Sequence, residues 1–496
     1  MTVGRPCIHS DMPDLIPQDV LTRALEEERV DLKSRNDIQT VNRLPEDIFV
    51  QVLMIAKAHL LHSKEPPCTL FLYTVSQVCS KWRRRCINNP LLWACIHIES
   101  LPLSRFTGEC ISRAKDVPIS LDIGPSNYPK LTIDTWAHLL RSLATRHANT
   151  ERWKTVILRV SDHQVLPNLL EYLDSRSTPN LETISCTRIS SGYTEPHTNR
   201  RIASSTKSVG PLLPKLRSLE LKRVHLGRLF DRNPPIILTS LTRLNLETTG
   251  LDRYTPDAFA HLLSSSPHIE ELSMMEYIEF ENNNLNPWPI VAPITFSSLF
   301  RLKLLVVDPY TTVGSGLRWV TRFLRSIHAP KLRQLVIVSP TGYTITNTIV
   351  EHFVDFISTG YIPNQEAVSD QSQSCKSLYP ELRYFGIFFP LPKGAQLYKS
   401  ESLLAAFPSL THLGILGEDI AVVDRTPRCS PRLVYLSIQN SARSDLELEN
   451  VLRRRQEAGF PIRVVALQHN EDIRGLSSIV ELKACDRSQV LEFLDL

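Results

Sequence analysis

Residues that could bind a metal ion or act as nucleophiles are scattered along this 496-residue sequence. His59 and His62 are three residues apart, which places both imidazoles on one side of a helix, but no third ligand stands near them in the sequence. The ten cysteines form no Cys-x-x-Cys pair and no repeated spacing, which argues against a zinc ribbon or a disulfide framework. We therefore expect no metal site.

Motifs typical of catalysis are also missing from the sequence. The Gly314-Ser-Gly316 segment lacks the third glycine, and the strand-to-helix context, that a phosphate-binding loop needs. Neither Gly-x-Ser-x-Gly nor His-Glu-x-x-His occurs, and no pair of carboxylates stands in a recognisable catalytic frame. The sequence indicates no catalytic residue and no cofactor, and it favours a protein that is not an enzyme.

The charge balance argues against nucleic acid and membranes as partners. The 56 basic residues are nearly matched by 52 acidic ones. The basic run from Lys81 to Arg85 is interpreted as the solvated face of a helix, with a nucleic-acid or localisation patch as the weaker alternative. No run of about 18 apolar residues and no signal-peptide pattern occurs, which predicts a soluble protein of the cytoplasm or nucleus.

The elements near the N-terminus are predicted to be helical. Spacings of three and four between Leu21, Leu25, Glu28 and Leu32 indicate an amphipathic helix over residues 14–35. A second helix is expected to begin at Pro45, where the missing N–H costs nothing. Two apolar helical stripes follow, formed by Ile48, Phe49, Val52, Leu53 and Ala56 and by Leu72, Val75, Val78, Cys79 and Trp82. Pro90 ends the helix that carries the second stripe, and residues 94–98 alternate as a strand does.

A pattern of the form Pro-x-Leu-x-x-Leu-x-Leu recurs from about residue 179 onward. The step between copies varies from 23 residues (Leu410 to Leu433) to 50 residues (Leu332 to Leu382). The first apolar positions of nine copies are Leu181, Leu216, Leu241, Ile269, Leu299, Leu332, Leu382, Leu410 and Leu433. Degenerate copies precede them at residues 118–123 and 153–158, and amphipathic helices are expected over residues 256–265, 317–327, 347–358, 401–407 and 446–458.

Each copy places two apolar side chains on one face of a strand, and a single unit cannot bury them alone. We therefore predict an α/β chain in which a helical module precedes an irregular solenoid, a curved parallel sheet with helices on its outside. Residues 190–210 and 361–377 do not fit this pattern and are expected to form loops or disorder. An eight-fold βα barrel with an active site is an alternative, which the variable step and the number of units disfavour.

Residues 44–98 resemble an F-box, a helical module that binds a Skp-type adaptor of cullin-RING ubiquitin ligases. The resemblance rests on the order of Leu44-Pro45-Glu46-Asp47-Ile48-Phe49, then residues 75–83, then Pro90-Leu91-Leu92-Trp93. Asp47 replaces the usual glutamate, and the connection from residue 56 to 70 is longer than is usual. The repeats behind it resemble the leucine-rich half of F-box proteins, without the Asn or Cys ladder of well-formed repeats.

The resemblance implies a division into a helical segment and linker (1–41), an F-box-like module (42–98) and a leucine-rich-repeat-like solenoid (99–496). It implies a substrate receptor of an SCF-type ligase, with a Skp-type adaptor, a cullin bound through it and an unknown protein substrate as partners. By position, the adaptor would contact Leu44, Pro45, Ile48, Phe49, Val52, Val75 and Val78. Trp82 and Trp93 would hold the module together. Residues expected on the solvated side of the sheet, where a substrate would bind, are Glu220, Lys222, Arg243, Asn245 and Lys303.

Two interpretations without ubiquitin remain open at this point. The helical module could simply cap the open end of the repeats, and the chain could be a non-catalytic leucine-rich-repeat scaffold. Elementary packing favours a docking module instead, because about 50 residues carrying Phe49, Trp82 and Trp93 cannot bury all their apolar stripes internally.

Overall fold

The structure of the protein is a computed structural model. The residues that it describes are 18–62, 68–98, 102–124, 133–161, 165–174, 178–189, 213–224, 238–247, 256–277, 293–307, 315–339, 347–360, 378–388, 400–416, 420, 423, 430–439, 445–467, 476 and 479–484. The expectations for residues 190–210 and 361–377, for Gly314 and for the side chains of His59 and His62 lie outside this part.

The described chain contains both helices and strands. The helices are α1 (Gln18–Ile38), α2 (Glu46–His62), α3 (Cys68–Gln77), α4 (Ser80–Asn88), α5 (Pro90–Trp93), α6 (Arg105–Arg113), α7 (Ile133–Thr145), α8 (Val165–Asp174), α9 (Pro256–Ser264), α10 (Ser315–Arg325), α11 (Asn347–Thr359), α12 (Ser400–Ala405) and α13 (Asp445–Glu457). Short 3₁₀ helices cover Thr40–Arg43 and Thr150–Arg152.

The first strands are β1 (Cys95–Ile98), β2 (Ile119–Ile123), β3 (Trp153–Val160), β4 (Thr183–Arg188), β5 (Ser218–Lys222), β6 (Arg243–Glu247), β7 (Glu271–Tyr277) and β8 (Ile294–Thr295). The remaining strands are β9 (Arg301–Val307), β10 (Ile327–His328), β11 (Gln334–Val338), β12 (Tyr384–Phe388), β13 (His412–Leu416), β14 (Tyr435–Gln439), β15 (Val464–Leu467) and β16 (Glu481–Ala484).

The chain divides into two compact units. The first comprises Met1–His97 with Leu103–Ile119, and the second comprises Ile98–Pro102 with Ser120–Leu496. The start of the leucine-rich-repeat-like solenoid at residue 99 stays a prediction. No described helix has both the length and the apolar character needed to cross a membrane.

The second unit is built on one parallel sheet. From β3 to β16 the strands lie side by side in chain order, apart from β8 and β10, which pair with each other. The recurring leucines are in register across neighbouring strands, as in Leu219, Leu244, Leu272 and Leu302. One row of apolar side chains therefore runs from strand to strand, and the predicted class, a helical module followed by a long parallel sheet with helices, is confirmed.

A tight turn explains the proline of the repeat. In the copy at Thr178-Pro179-Asn180-Leu181, the N–H of Leu181 donates to the carbonyl of Thr178 over 3.3 Å. Proline suits the second position of such a turn because its φ is already set. The same turn closes at Leu241, where the carbonyl of Leu238 accepts and no proline is present. In both turns the last residue is a fully buried leucine, Leu181 or Leu241, which lies two residues before the next strand begins.

The two faces of this sheet differ. We call the face that carries the leucine rows the core face and the opposite one the second face. In β5, β6 and β9 only alternate residues are buried, so the second face is partly solvated there. All five residues of β12 are buried, so the second face is covered at this strand.

The helices expected between the repeats are present. The structure places α9, α10, α11, α12 and α13 within two residues of the predicted bounds. The sequence did not predict the pair β8–β10, in which Ile327 faces Ile294 and His328 faces Thr295. These strands are two residues long, too short for an alternating pattern to be recognised.

Truncating one leucine of the core row is expected to destabilise the repeat region. Leu272→Ala should lower the free energy of unfolding by about 2–5 kcal/mol, because it removes a fully buried side chain and leaves a cavity. His268→Ala, at an exposed position of the same repeat, should change it by less than about 0.5 kcal/mol. Urea denaturation followed by circular dichroism measures both, and equal effects would contradict the assigned core face.

Candidate functional site

The interior of the helical module (residues 42–98) is built from one stripe of each helix. On α2 the buried apolar side chains include Phe49, Val50 and Leu53, and on α3 they include Leu72 and Val75. Helix α2 packs against α3, α4 and α5. Pro90 at the first position of α5, with the Asn89 side chain accepting the N–H of Leu91, begins the short last helix.

Trp82 joins three parts of the module. Its ring meets that of Phe49 edge to face, with 4.9 Å between the ring centroids. Its indole N–H donates to the buried Oδ1 of Asn42, which lies before α2. Arg85 adds a further link, because its guanidinium lies 5.1 Å from the centre of the Phe49 ring and donates to the carbonyl of Leu44.

Trp93 is fully buried and holds the end of the module. Its indole N–H donates to the carbonyl of Cys86 over 2.7 Å, and the guanidinium of Arg113 lies 4.5 Å from the centre of its ring. The ammonium group of the buried Lys57 donates to the carbonyl of Leu92 over 2.7 Å. Both tryptophans therefore make contacts that link parts of the module.

The basic run is only partly a solvated face. Arg83 and Arg84 are exposed, in agreement with the interpretation from sequence. Arg85 is half-buried, because it lies over Phe49 and donates to a backbone carbonyl. That contact reaches back 41 residues along the chain, so periodicity within one helix does not reveal it.

A second apolar stripe of α2 faces solvent. Ile48, Val52 and Ile55 follow each other at spacings of four and three, and they are 39%, 50% and 71% exposed. Tyr73 on α3 and Val78 just after α3 are 53% and 58% exposed. So many exposed, large apolar side chains on a module of this size are typical of a protein-binding surface.

The structure separates the predicted adaptor contacts into two groups. Pro45, Ile48, Val52 and Val78 are exposed, and Leu44 is half-buried. Phe49 and Val75 are buried inside the module, so in this structure they support the exposed side chains and have little surface of their own. Ile55 and Tyr73 are exposed as well but are not among the contacts predicted from the sequence, although the spacing of Ile55 from Val52 and Ile48 is a visible signal.

Charged side chains occupy the second face from β5 to β9. Glu220 accepts hydrogen bonds from Lys222, Ser185 and Asn245, at 2.6, 2.6 and 3.2 Å. Burial by itself would raise the pKa of Glu220, but these hydrogen bonds and the Lys222 charge outweigh it and hold the pKa below its ordinary value. Three of the residues predicted to face a substrate, Glu220, Lys222 and Asn245, thus form one network.

Arg243, another of the predicted substrate residues, lies near the carboxylate of Glu271. Glu271 is 3.5 Å from the Nε of Arg243 and 3.7 Å from a terminal nitrogen of Arg301. Arg301 also donates its Nε–H to the amide oxygen of Gln334 over 2.6 Å. Lys303 lies two residues along β9 from Arg301, on the same face.

Beyond β11 the second face carries aromatic side chains in place of charged ones. Tyr384, His412 and Tyr435 stack along neighbouring strands, with ring centroids 6.0 and 5.0 Å apart. The Phe388 ring lies against Gly386 and Gly414, where added Cβ atoms would lie 2.9 and 2.5 Å from it. Burial lowers the pKa of His412, which favours the neutral imidazole.

The buried thiols are poor candidates for chemistry. Burial raises the pKa of Cys86 and Cys110 to about 11 and that of Cys186 to about 12. A thiol with such a pKa is almost entirely protonated at neutral pH and is a weak nucleophile. Within the described ranges, no cluster of three or more His, Cys, Asp or Glu side chains is arranged to bind a metal.

Comparison with known families identifies the helical module. A family model described as F-box-like matches residues 41–99. This match confirms the F-box resemblance for that stretch, and it covers the helices α2 to α5 whose packing and exposed stripe are described above. The repeat region receives no family assignment from the match.

Comparison with individual proteins adds little to this. No curated protein matches the chain. Among solved structures, the chain is similar to one titled "Crystal structure of Rad7 and Elc1 complex in yeast", at 10% identity and a TM-score of 0.30. The alignment covers 96% of this chain and 100% of that chain.

Removing the central ring of the module is expected to loosen it. Phe49→Ala should lower the free energy of opening of α2 by about 3–5 kcal/mol, because Phe49 is 1% exposed and supports Trp82. Hydrogen–deuterium exchange of the full chain, read from peptides within residues 46–62, measures this effect. The control Val52→Thr, at a half-exposed position of the same helix, should leave the exchange rates within about twofold.

The buried thiols should resist alkylation in the folded protein. At pH 8 we expect iodoacetamide to leave Cys86, Cys110 and Cys186 unmodified, because their thiols are buried and protonated. All three should react after denaturation, which serves as the internal control. Rapid native labelling of any of them, found by peptide mass spectrometry, would contradict the assigned burial.

Proposed function

We propose that this protein is a substrate receptor of an SCF-type cullin-RING ubiquitin ligase. The helical module binds a Skp-type adaptor, which links it to a cullin, and the repeat region holds a protein substrate. The observation that carries the proposal is that the F-box-like match at residues 41–99 coincides with solvent-exposed apolar side chains on α2 and α3. We further propose that the repeats are irregular leucine-rich repeats.

The adaptor contacts follow from exposure and position. Ile48, Val52 and Ile55 would form the contact on α2, and Val78 would contribute from the end of α3. Leu44 and Pro45 would lie at the edge of this contact, where Arg85 holds the Leu44 carbonyl. Phe49 and Val75 would support the exposed stripe from inside. Where one of these side chains is a hot spot of the contact, its truncation should cost about 2 kcal/mol or more of binding free energy.

The contribution of this chain to ubiquitin transfer would be proximity. A substrate held beside a ubiquitin-charged enzyme reacts at a high effective concentration, so no residue of the receptor needs to take part in bond formation. The protonated state of the buried thiols agrees with a non-catalytic role. We expect this role in the cytoplasm or nucleus, and neither nucleic acid nor a membrane is part of it.

Charged substitutions on the exposed stripe test adaptor binding. Ile48→Glu/Val52→Glu should weaken binding to a purified Skp-type adaptor by about 30-fold or more, because it places two charges in an apolar contact. The matched control Leu25→Glu/Val30→Glu alters two exposed apolar residues of α1 and should change affinity less than about twofold. Biolayer interferometry with full-length chains measures both, and hydrogen exchange verifies that α2 remains folded.

Two results would overturn the proposal. The first is an unmodified chain that does not bind the adaptor. The second is equal affinity of the Ile48→Glu/Val52→Glu and control variants, which would mean that the stripe is not the docking surface. If the folded, unmodified chain does not bind the adaptor, the protein is better described as a scaffold whose helical module only caps the repeats.

A further inference from the structure

The net charge of the chain is concentrated in the helical module. Residues 42–98 contain seven lysines and arginines and three acidic residues, and this excess of four equals the formal net charge of +4 of the whole chain. The remainder of the sequence is therefore balanced. The charges are also segregated within the module, because residues 68–98 contain Lys81, Arg83, Arg84 and Arg85 and no Asp or Glu.

Four basic side chains of the module lie at its surface around α4. We call them the basic cluster: Arg43, Lys81, Arg83 and Arg84. Three of them are exposed and Lys81 is half-buried. Arg43 lies beside α4, because the residues on either side of it, Asn42 and Leu44, accept hydrogen bonds from Trp82 and Arg85 of that helix.

The basic cluster is placed where it lowers the stability of its own helix. Lys81 and Arg83 lie in the first turn of α4, which contains no acidic residue. Positive charge is unfavourable there because the helix dipole is itself positive at its N-terminal end. Among the described residues, no carboxylate pairs with any of the four side chains. Charges that cost stability and have no partner carboxylate in the described chain fit a role in binding.

The basic cluster borders the exposed apolar side chains of both α2 and α3. The Nε–H of Arg83 donates to the carbonyl of Ser76 over 3.0 Å, two residues before the exposed Val78. On the other side, Arg43 precedes the exposed Ile48 of α2 by five residues. A partner that covers Ile48 and Val78 therefore comes next to the basic cluster as well.

We propose that the basic cluster binds a carboxylate-bearing segment of the Skp-type adaptor, at the edge of the contact that covers the exposed stripe of α2. This inference rests on the proposed function. Exposed charges at the edge of an interface act mainly on the rate of association, because their attraction extends over about 10 Å at 0.1 M salt. The apolar stripe then determines how long the complex lasts, and the basic cluster determines how fast it forms.

The surroundings of the basic cluster favour a protein over a nucleic acid. Arginine pairs equally well with carboxylates and phosphates, so the guanidiniums alone do not decide. Single-stranded nucleic acid, however, uses aromatic side chains on which bases stack, whereas the neighbours here are the aliphatic Ile48 and Val78. Glu46 and Asp47, exposed in the first turn of α2, would also repel a continuous row of phosphates.

Association kinetics with a purified Skp-type adaptor test the proposal. In biolayer interferometry of the full chain, Arg43→Glu/Arg84→Glu should lower the association rate constant about tenfold at about 50 mM salt and less than about threefold at about 500 mM. The dissociation rate constant should stay within about twofold. The conservative variant Arg43→Lys/Arg84→Lys keeps both charges and should associate at nearly the unmodified rate.

A matched control separates the basic cluster from the net charge of the chain. Arg217→Glu/Arg432→Glu makes the same change in net charge at two exposed arginines of the repeat region and should lower the association rate constant by less than about twofold. Lys81→Glu places an anion in the first turn of α4, so it should slow hydrogen exchange in that helix while it slows association. Slower association of a variant with a stabilised helix cannot result from unfolding.

The outcomes separate this inference from the proposed function. Equal association rates of the folded Arg43→Glu/Arg84→Glu and Arg217→Glu/Arg432→Glu variants would overturn the inference, and the proposed function would stand if Ile48→Glu/Val52→Glu still weakened binding. Binding of a single-stranded DNA oligonucleotide that is lost in Arg43→Glu/Arg84→Glu, with adaptor kinetics unchanged, would also overturn it. No binding of the adaptor by the unmodified chain would defeat both.

Discussion

The helical module has more apolar surface than its own interior can accept, and the functional account depends on that constraint. Helix α2 carries two adjacent apolar stripes, and packing against α3, α4 and α5 buries only the one that contains Phe49 and Leu53. Ile48, Val52 and Ile55 are left in water. The hydrophobic effect favours a partner that covers them, and the F-box-like match over residues 41–99 supports a Skp-type adaptor as that partner.

The repeat region also depends on the burial of apolar side chains, but here the chain buries them by itself. No single strand can bury its two leucines, but parallel strands in register bury them against neighbouring units, so the core face is completed within the chain. The residue types on the second face are then not fixed by the packing of the core. Its charged half is organised around Glu220 and Glu271, and its aromatic half is organised around Tyr384 and His412. In the function proposed above, the second face is the part of the repeat region that would bind a substrate.

Much of this fold could be predicted because the spacing of apolar residues within short segments indicates each strand and helix. The spacing of leucines predicted parallel strands, the prolines mark tight turns, and α9 to α13 lie where helical stripes were visible. The exposed stripe could not be predicted in full. Ile48 and Phe49 are neighbours, and periodicity does not tell which of two adjacent stripes faces inward. That choice depends on Trp82 and Asn42, which meet across 40 residues of sequence.

Hydrogen–deuterium exchange of the full chain, with and without a Skp-type adaptor, tests the central claim most directly. The account predicts slower exchange in peptides that cover residues 44–56 and 71–79, and no change in those that cover residues 213–224 or 430–439. Protection confined to the repeat region, or no protection anywhere at saturating adaptor, would contradict it.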